Sequence, residues 1–310
     1  MAYKKIACIG FVFLLLTGCS QQKLYTERAF IMGTVVEVTS PYPEASKIAF
    51  KEMQRVENVF SQYLPDSAIS HLNKTGFLNS NYEIVSLLKY AKEFYSITNK
   101  RFDVSVGSVS RLWKTAFADK KLPSEAEIKD ALKSVGFKNI YFDEKNNIKL
   151  KKPGIELDFG AIAKGYAIDA AVKELLRNGI DSAIVNASGN MYCIGTRFGR
   201  PWKIGVRDPR GQALMGGLEL KDIAVASSGD YEQYVFSNGK RYSHIVDPLT
   251  GYPVDTDVAS VTVVAKSAML ADAVGTCIFL LGKDEGTRIF KNFEGVEKII
   301  VITKKELGEK

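Results

Sequence analysis

The stretch Ala183-Ile184-Val185-Asn186-Ala187-Ser188-Gly189-Asn190-Met191-Tyr192-Cys193-Ile194 decides the fold class. Two short apolar runs, Ala183–Val185 and Met191–Ile194, flank a small, polar, glycine-bearing segment, which is how strands around a tight turn read. Upstream, a helix from Gly160 to about Arg177 carries Ile168, Ala171, Val172, Leu175 and Leu176 on one face and stops at Gly179. Downstream, strands are expected at Trp202–Arg207, Gly217–Leu220, Ala224–Ser227, Tyr234–Phe236, Tyr242–Val246 and Ser260–Val264. Asn238-Gly239 is a hairpin turn, since both residues tolerate positive φ. A helix at Ala268–Leu281 and a strand at Lys298–Ile302 close the chain. Long runs of strands beside clustered helices predict an α+β fold with a mostly antiparallel sheet core.

The first half reads differently. Arg28–Thr39 has strand character broken by Gly33. From Glu44 a helix places Ala45, Ile48, Ala49, Met53, Val56 and Phe60 on one stripe, and a second carries Ile84, Leu87, Leu88, Ala91, Phe94 and Tyr95. Ser61–Ser67 is a loop between them. Ser124 and Glu127 form a capping box that opens a helix with Ile128, Ala131, Leu132 and Val135 inward. A hairpin follows, Asn139–Phe142 against Ile148–Leu150, and then a short strand, Ile155–Phe159. Residues of about 44–136 are therefore expected as a mainly helical subdomain inserted into the sheet region.

Composition narrows the class. The 310 residues are 46% hydrophobic and 25% charged, which excludes disorder, collagen and coiled coil. Lys4 and Lys5 precede the apolar run Ile6–Leu16, which is shorter than the roughly 20 residues that cross a bilayer. The run ends Thr17-Gly18-Cys19, the pattern of bacterial lipoprotein cleavage. Residues 1–18 are read as a signal peptide, Cys19 as the lipidated residue, 19–27 as a tether and 28–310 as the working domain. The mature chain is expected on a bacterial cell membrane, held by lipid on Cys19 and facing outside the cytoplasm. Basic residues are scattered among acids, so no nucleic-acid partner is expected. Cys193 and Cys277 are expected as buried thiols.

Exclusions come first in the chemistry. There is no HExxH, CxxC or GxSxG, no Walker loop and no GxGxxG after a strand. Four segments stand out. Leu157-Asp158-Phe159-Gly160-Ala161-Ile162-Ala163-Lys164-Gly165 places free N–H groups and a lysine at a helix start, a setting that suits an anion. Asp272 and Thr276 lie about 40° apart around their helix, whereas Leu270, Ala273, Val274, Cys277 and Leu281 span roughly 100° to 200°. Their oxygens suit a hard cation such as Mg²⁺ on a stripe turned from the apolar face. Ser243–Gly251 sets His244 before a rigid Asp247-Pro248 turn, where His244 could act as acid or base and Asp247 could cap the turn. Asn186–Asn190 and Ala226–Asp230 are small and glycine-bearing, so a ligand could approach their backbone.

With Met32-Gly33-Thr34, Ser61-Gln62-Tyr63, Asp66-Ser67 and Phe102–Gly107, these segments in this order resemble the ApbE-type family of FAD:protein FMN transferases. The resemblance spans nearly the whole mature chain and implies a T-fold-like architecture. It implies Mg²⁺-dependent transfer of FMN from FAD to a threonine hydroxyl of an acceptor, a membrane-associated redox protein, with AMP released. It further implies FAD contacts from Met32, Tyr63, Arg101, Phe102, Asp103, Asp158, Lys164 and the backbone of Ile245 and Val246. The Ala161 carbonyl, Asp272 and Thr276 would hold the metal. Some members carry a second acid directly before that threonine, where this chain has Gly275. Asp158, His244 and Asp247 are the candidates for the group that takes the hydroxyl proton. An FAD pyrophosphatase yielding FMN and AMP, or a flavin-binding lipoprotein without catalysis, are the alternative readings.

Overall fold

A computed structural model describes residues 23–211, 213–237 and 240–309; the signal segment, Cys19 and the Asn238-Gly239 turn lie outside them. Strands β1 (Tyr25–Ile31) and β2 (Thr34–Ser40) form a hairpin whose turn residues Met32 and Gly33 have φ of 55° and 71°. Two successive left-handed residues match the twist of paired strands, which is why the run breaks at Gly33. The first strand starts at Tyr25, inside the stretch expected as a tether.

Helices α1 (Ala45–Phe60) and α2 (Ala68–Thr75), the two-residue β3 (Phe77–Leu78) and α3 (Tyr82–Ile97) come next, followed by α4 (Gly107–Asp119) and α5 (Glu125–Leu132). Helix α2 starts at a Ser67 cap that accepts from Ser70 N–H, and stops at Gly76 with φ of 72°. The capping box at Ser124 and Glu127 forms as expected. Strands β4 (Ile140–Phe142) and β5 (Ile148–Leu150) pair, and β5 also pairs with β3. The helices expected as one inserted subdomain divide. Buried residues of α1, α2 and α3 join the main core, while Val109, Trp113 and Ala116 of α4 with Ile128 of α5 close a satellite cluster around Val246.

The second half supplies α6 (Ala163–Arg177), the strands β6 (Ala183–Ala187), β7 (Asn190–Ile194), β8 (Trp202–Arg207), β9 (Leu214–Leu220), β10 (Ile223–Gly229), β11 (Tyr234–Ser237), β12 (Lys240–Ser243) and β13 (Val258–Ala265), then α7 (Ala268–Leu281), α8 (Lys283–Phe290) and β14 (Val296–Thr303). Seven strands build one sheet in the order β1-β2-β6-β7-β10-β13-β14, every neighbour antiparallel. The α+β expectation with an antiparallel core holds.

Alternation along the strands sorts two interiors. Val185, Ile194, Ala224, Ala226, Val261 and Val263 face α1, α6 and α7. Cys193, Val225 and Val264 face the β8–β9 hairpin, led by Trp202. Strand β13 is buried at all eight positions because both its faces are covered. Cys193 and Cys277 are both buried and free.

One expected strand does not form. Ile155–Phe159 is extended, with a single parallel bridge from Glu156 to Val106. Its backbone partners lie elsewhere: the Asn73 amide accepts from Leu157 N–H at 2.7 Å and donates to Leu157 C=O at 3.0 Å, and Asp158 N–H donates to Val104 C=O at 2.8 Å. A side chain that mimics a neighbouring strand leaves no ladder to extend.

Candidate active site

Antiparallel order brings the Met32-Gly33 turn, the Ser188-Gly189 turn and the ends of β10 and β14 to one edge of the sheet. Thr34 and Ser188 hydroxyls hydrogen-bond across that edge. The charged groups described next gather near the helix start at Gly160–Lys164.

Asp158 is held from three sides. Gly160 N–H donates to Oδ1 at 2.8 Å, Lys114 Nζ donates to Oδ2 at 3.3 Å, and the Gln62 side chain adds a third bond. Burial alone would raise its carboxyl, but Lys114 and these donors hold it below the usual carboxylate value. Lys114 also lies 5.0 Å from the ring centroid of Tyr63, whose side chain is 67% exposed. An exposed ring flanked by a cation can stack on a planar ligand.

Asp272 sits on α7 facing α6. Gly165 N–H donates to its Oδ2 at 3.1 Å, Lys164 Nζ is 3.9 Å from Oδ1, and the Asn190 side chain donates as well. Burial pushes this carboxyl up, and Lys164 opposes the shift. The sequence reading put Asp272 on a stripe turned from the apolar face; the structure corrects this, because Asp272 is only 3% exposed. Helix α6 covers that stripe, so α7 is buried nearly all round. Thr276, one turn on, is half-buried. A Cβ at Gly275 would lie 3.0 Å from the Ser228 hydroxyl oxygen, so α7 presses on β10 where a second acid would stand.

His244 follows β12, and its Nδ1 lies 3.3 Å from the Gln233 carbonyl. Burial and then Lys164 push its ring down to about 4, so it is neutral at ordinary pH. With Nδ1–H donated to Gln233, the Nε2 lone pair is left for a substrate. Glu232 feels the same charges. The protein around its carboxyl and the Asp272 charge push it up to about 7, against the pull of Lys164.

Other expected residues lie elsewhere. Asp247 is buried, accepts from Arg101 at 2.6 Å and from Leu249 N–H at 2.9 Å, and so ties a loop and caps a turn. Asp103 accepts from Ser105 N–H at 2.8 Å, Ser105 hydroxyl at 2.7 Å and Phe137 N–H at 3.1 Å, all inside the fold. Phe102 packs on Phe94 in the core, with ring centroids 5.6 Å apart. Met32 N–H donates to Glu57 at 2.7 Å, which fixes the turn at the sheet edge. Ile245 and Val246 are buried, and the Ile245 carbonyl accepts from Val254 N–H. Ala161 is half-buried, two residues before α6 begins.

Lys114, Asn190 and Glu232 escaped the sequence reading. Lys114 lies on α4, a helix without a side-chain cap to announce it. Asn190 and Glu232 lie within or beside glycine-bearing segments already singled out, which was the available signal.

The arrangement gathers Lys114, Lys164, His244, Asp158 and Asp272 near one helix start. Two ammonium groups at the positive end of a helix suit a phosphate-bearing ligand. All-oxygen donors at Asp272, Thr276 and Ala161 fit a hard cation.

A family model described as the ApbE family matches residues 32–300. The FAD:protein FMN transferase of Treponema pallidum is 30% identical over 317 residues, covering 94% of this chain and 88% of that protein. The FAD:protein FMN transferase of Klebsiella pneumoniae is 28% identical, covering 93% and 92%. Among solved structures, the ApbE protein of Thermotoga maritima superposes with a TM-score of 0.83 at 36% identity, covering 91% and 95% of the two chains. The flavin transferase ApbE of Vibrio cholerae gives 0.80 at 26% identity, covering 91% and 94%.

Proposed function

The chain belongs to the ApbE family, and from that premise we propose that it moves the FMN half of FAD onto a threonine hydroxyl of an acceptor protein, with Mg²⁺ at the site and AMP released. The observation that carries this reading is the meeting of Lys114, Lys164, His244, Asp158 and Asp272 near the start of α6.

The threonine oxygen attacks the phosphorus of the FMN half. A new P–O bond forms, the P–O bond to the AMP phosphate breaks, and AMP leaves with that electron pair. Lys164, at the positive end of α6, meets charge on the phosphate oxygens. Mg²⁺, held by the Asp272 carboxylate, the Thr276 hydroxyl and the Ala161 carbonyl, would neutralise the diphosphate. The hydroxyl proton goes to His244. Of the three candidates it is the neutral one with a free lone pair, whereas Asp158 is bound to Lys114 and Asp247 to Arg101. Tyr63 and Lys114 bind the flavin dinucleotide and hold the phosphorus in line.

The mature chain acts at a membrane surface through lipid on Cys19, on an acceptor that reaches that surface. Among the described residues no helix is long and apolar enough to span a membrane. Cys19→Ala should shift the protein from the membrane fraction to the soluble one, and unchanged fractionation would contradict the anchor.

Chromatography of FAD with Mg²⁺, with and without acceptor, tests the reaction. AMP formed only when acceptor is present supports transfer. FMN and AMP formed equally in both would make the protein a pyrophosphatase.

A further inference from the structure

Helix α6 touches the first turn of α7 at two points in antiparallel register. Gly165 N–H donates to Asp272 at 3.1 Å. One turn further along α6, Asp169 meets α7 one turn earlier: its Oδ1 accepts from Ala268 N–H at 2.7 Å and its Oδ2 from Met269 N–H at 2.9 Å. The next N–H of α7, from Leu270, goes to the Ser267 side chain at 3.1 Å, and Ala271 N–H goes to Ser267 C=O. The three N–H groups of Ala268, Met269 and Leu270, which have no partner within the helix, are thus all used, two of them by a carboxylate from another helix, and the Ala271 bond is the first of the helix itself. The approach is tight, because a Cβ on Gly165 would lie 2.4 Å from the Ala268 carbonyl oxygen.

The Ser267 side chain caps one N–H of α7, and Asp169 takes the two before it. Asp169 fixes where α7 sits along α6. That position sets the distance from Asp272 and Thr276 to Ala161, Lys164 and Gly165. The Asp169 carboxylate is half-buried between the two helices.

We propose that Asp169 is a positioning residue for the divalent-cation site, pinning the first turn of α7 so that Asp272 meets the start of α6. The inference rests on the cation reading of Asp272 given above. Asp169 acts through the backbone of Ala268 and Met269 and touches neither substrate nor ion. Support of this kind beneath a metal ligand is worth about 10- to 100-fold in affinity.

The test titrates Mn²⁺ into the protein with FAD present and no acceptor, counting free ion by electron paramagnetic resonance. Asp169→Asn keeps the shape but turns an NH₂ toward one of the two N–H groups. Asp169→Glu keeps the charge and displaces the pin by one methylene. Both should weaken Mn²⁺ binding about 10-fold or more, while FAD affinity in EDTA stays within about twofold. Mn²⁺ binding at wild-type strength in either folded variant would overturn the proposal, and for Asp169→Glu it would show that charge alone matters. An equal loss of FAD affinity in EDTA would also overturn it, as a general structural role. If the unaltered protein bound no Mn²⁺, the cation reading of Asp272 itself would fall. Should one variant not fold, by circular dichroism, the other carries the same comparison.

Discussion

At the scale of single residues, the site is governed by which charges can be satisfied. Asp158 stays ionised because Lys114 is 3.3 Å away, and His244 stays neutral because burial and Lys164 disfavour a second positive charge. Lys114→Met should weaken FAD binding roughly 10-fold, the scale of one lost charge-assisted contact, as flavin fluorescence titration would read. Unchanged affinity would remove Lys114 from the binding surface. The ring of His244 titrates at about 4 in the fold against 6.5 as a free side chain. Between those values the unfolded chain binds the proton and the native one does not, so this group lowers stability as pH falls from about 6.5 to about 4. The acid limb of kcat/KM, which reports the free enzyme, should lie near pH 4 rather than 6.5 and vanish in His244→Gln. A limb that stays in that variant would assign it to another group. Asp158, Lys164 and His244 were legible in the sequence because each stands at an element boundary, and Asp272 because it shares a helical stripe with Thr276. Asp103 and Asp247 look the same in sequence, yet turn N–H groups and Arg101 occupy their carboxylates. Nothing local in sequence separates a carboxylate that caps a turn from one that faces a ligand.

Elements were legible where the apolar period runs over several turns. Helices α1, α3, α6 and α7 and the sheet strands lie where apolar spacing puts them, to within a few residues. Helix α2 carried readable signals, Ser67 and Gly76, in a stretch too short for a periodic stripe. Helices α4 and α8 begin without a side-chain cap. The burial of Asp272 was not legible, because a helical wheel shows which side chains share a stripe but not that α6 covers the stripe. Gly165 is what lets α6 come that close. Gly165→Ala should therefore destabilise the fold by about 1–3 kcal/mol, since the Ala268 carbonyl is backbone and cannot swing away. Thermal or urea unfolding reads the effect, and a loss below about 0.5 kcal/mol would show that the helices separate freely.

At the scale of the whole molecule, an antiparallel sheet collects turns from distant parts of the chain at one edge, and three helices cover one face of it. That topology explains how residues from distant parts of the chain come together near the start of α6. The class of fold was legible from the order of runs. The division of the helical stretch was not, since whether a helix joins the main core or a satellite depends on long-range contacts that periodicity does not encode. The most direct measurement is mass spectrometry of an acceptor protein incubated with this protein, FAD and Mg²⁺, beside a control in EDTA. The account predicts a mass gain of one FMN on a threonine of the acceptor, with AMP released, and no gain in EDTA. A gain that persists in EDTA, or none with acceptors that a relative flavinylates, would contradict it.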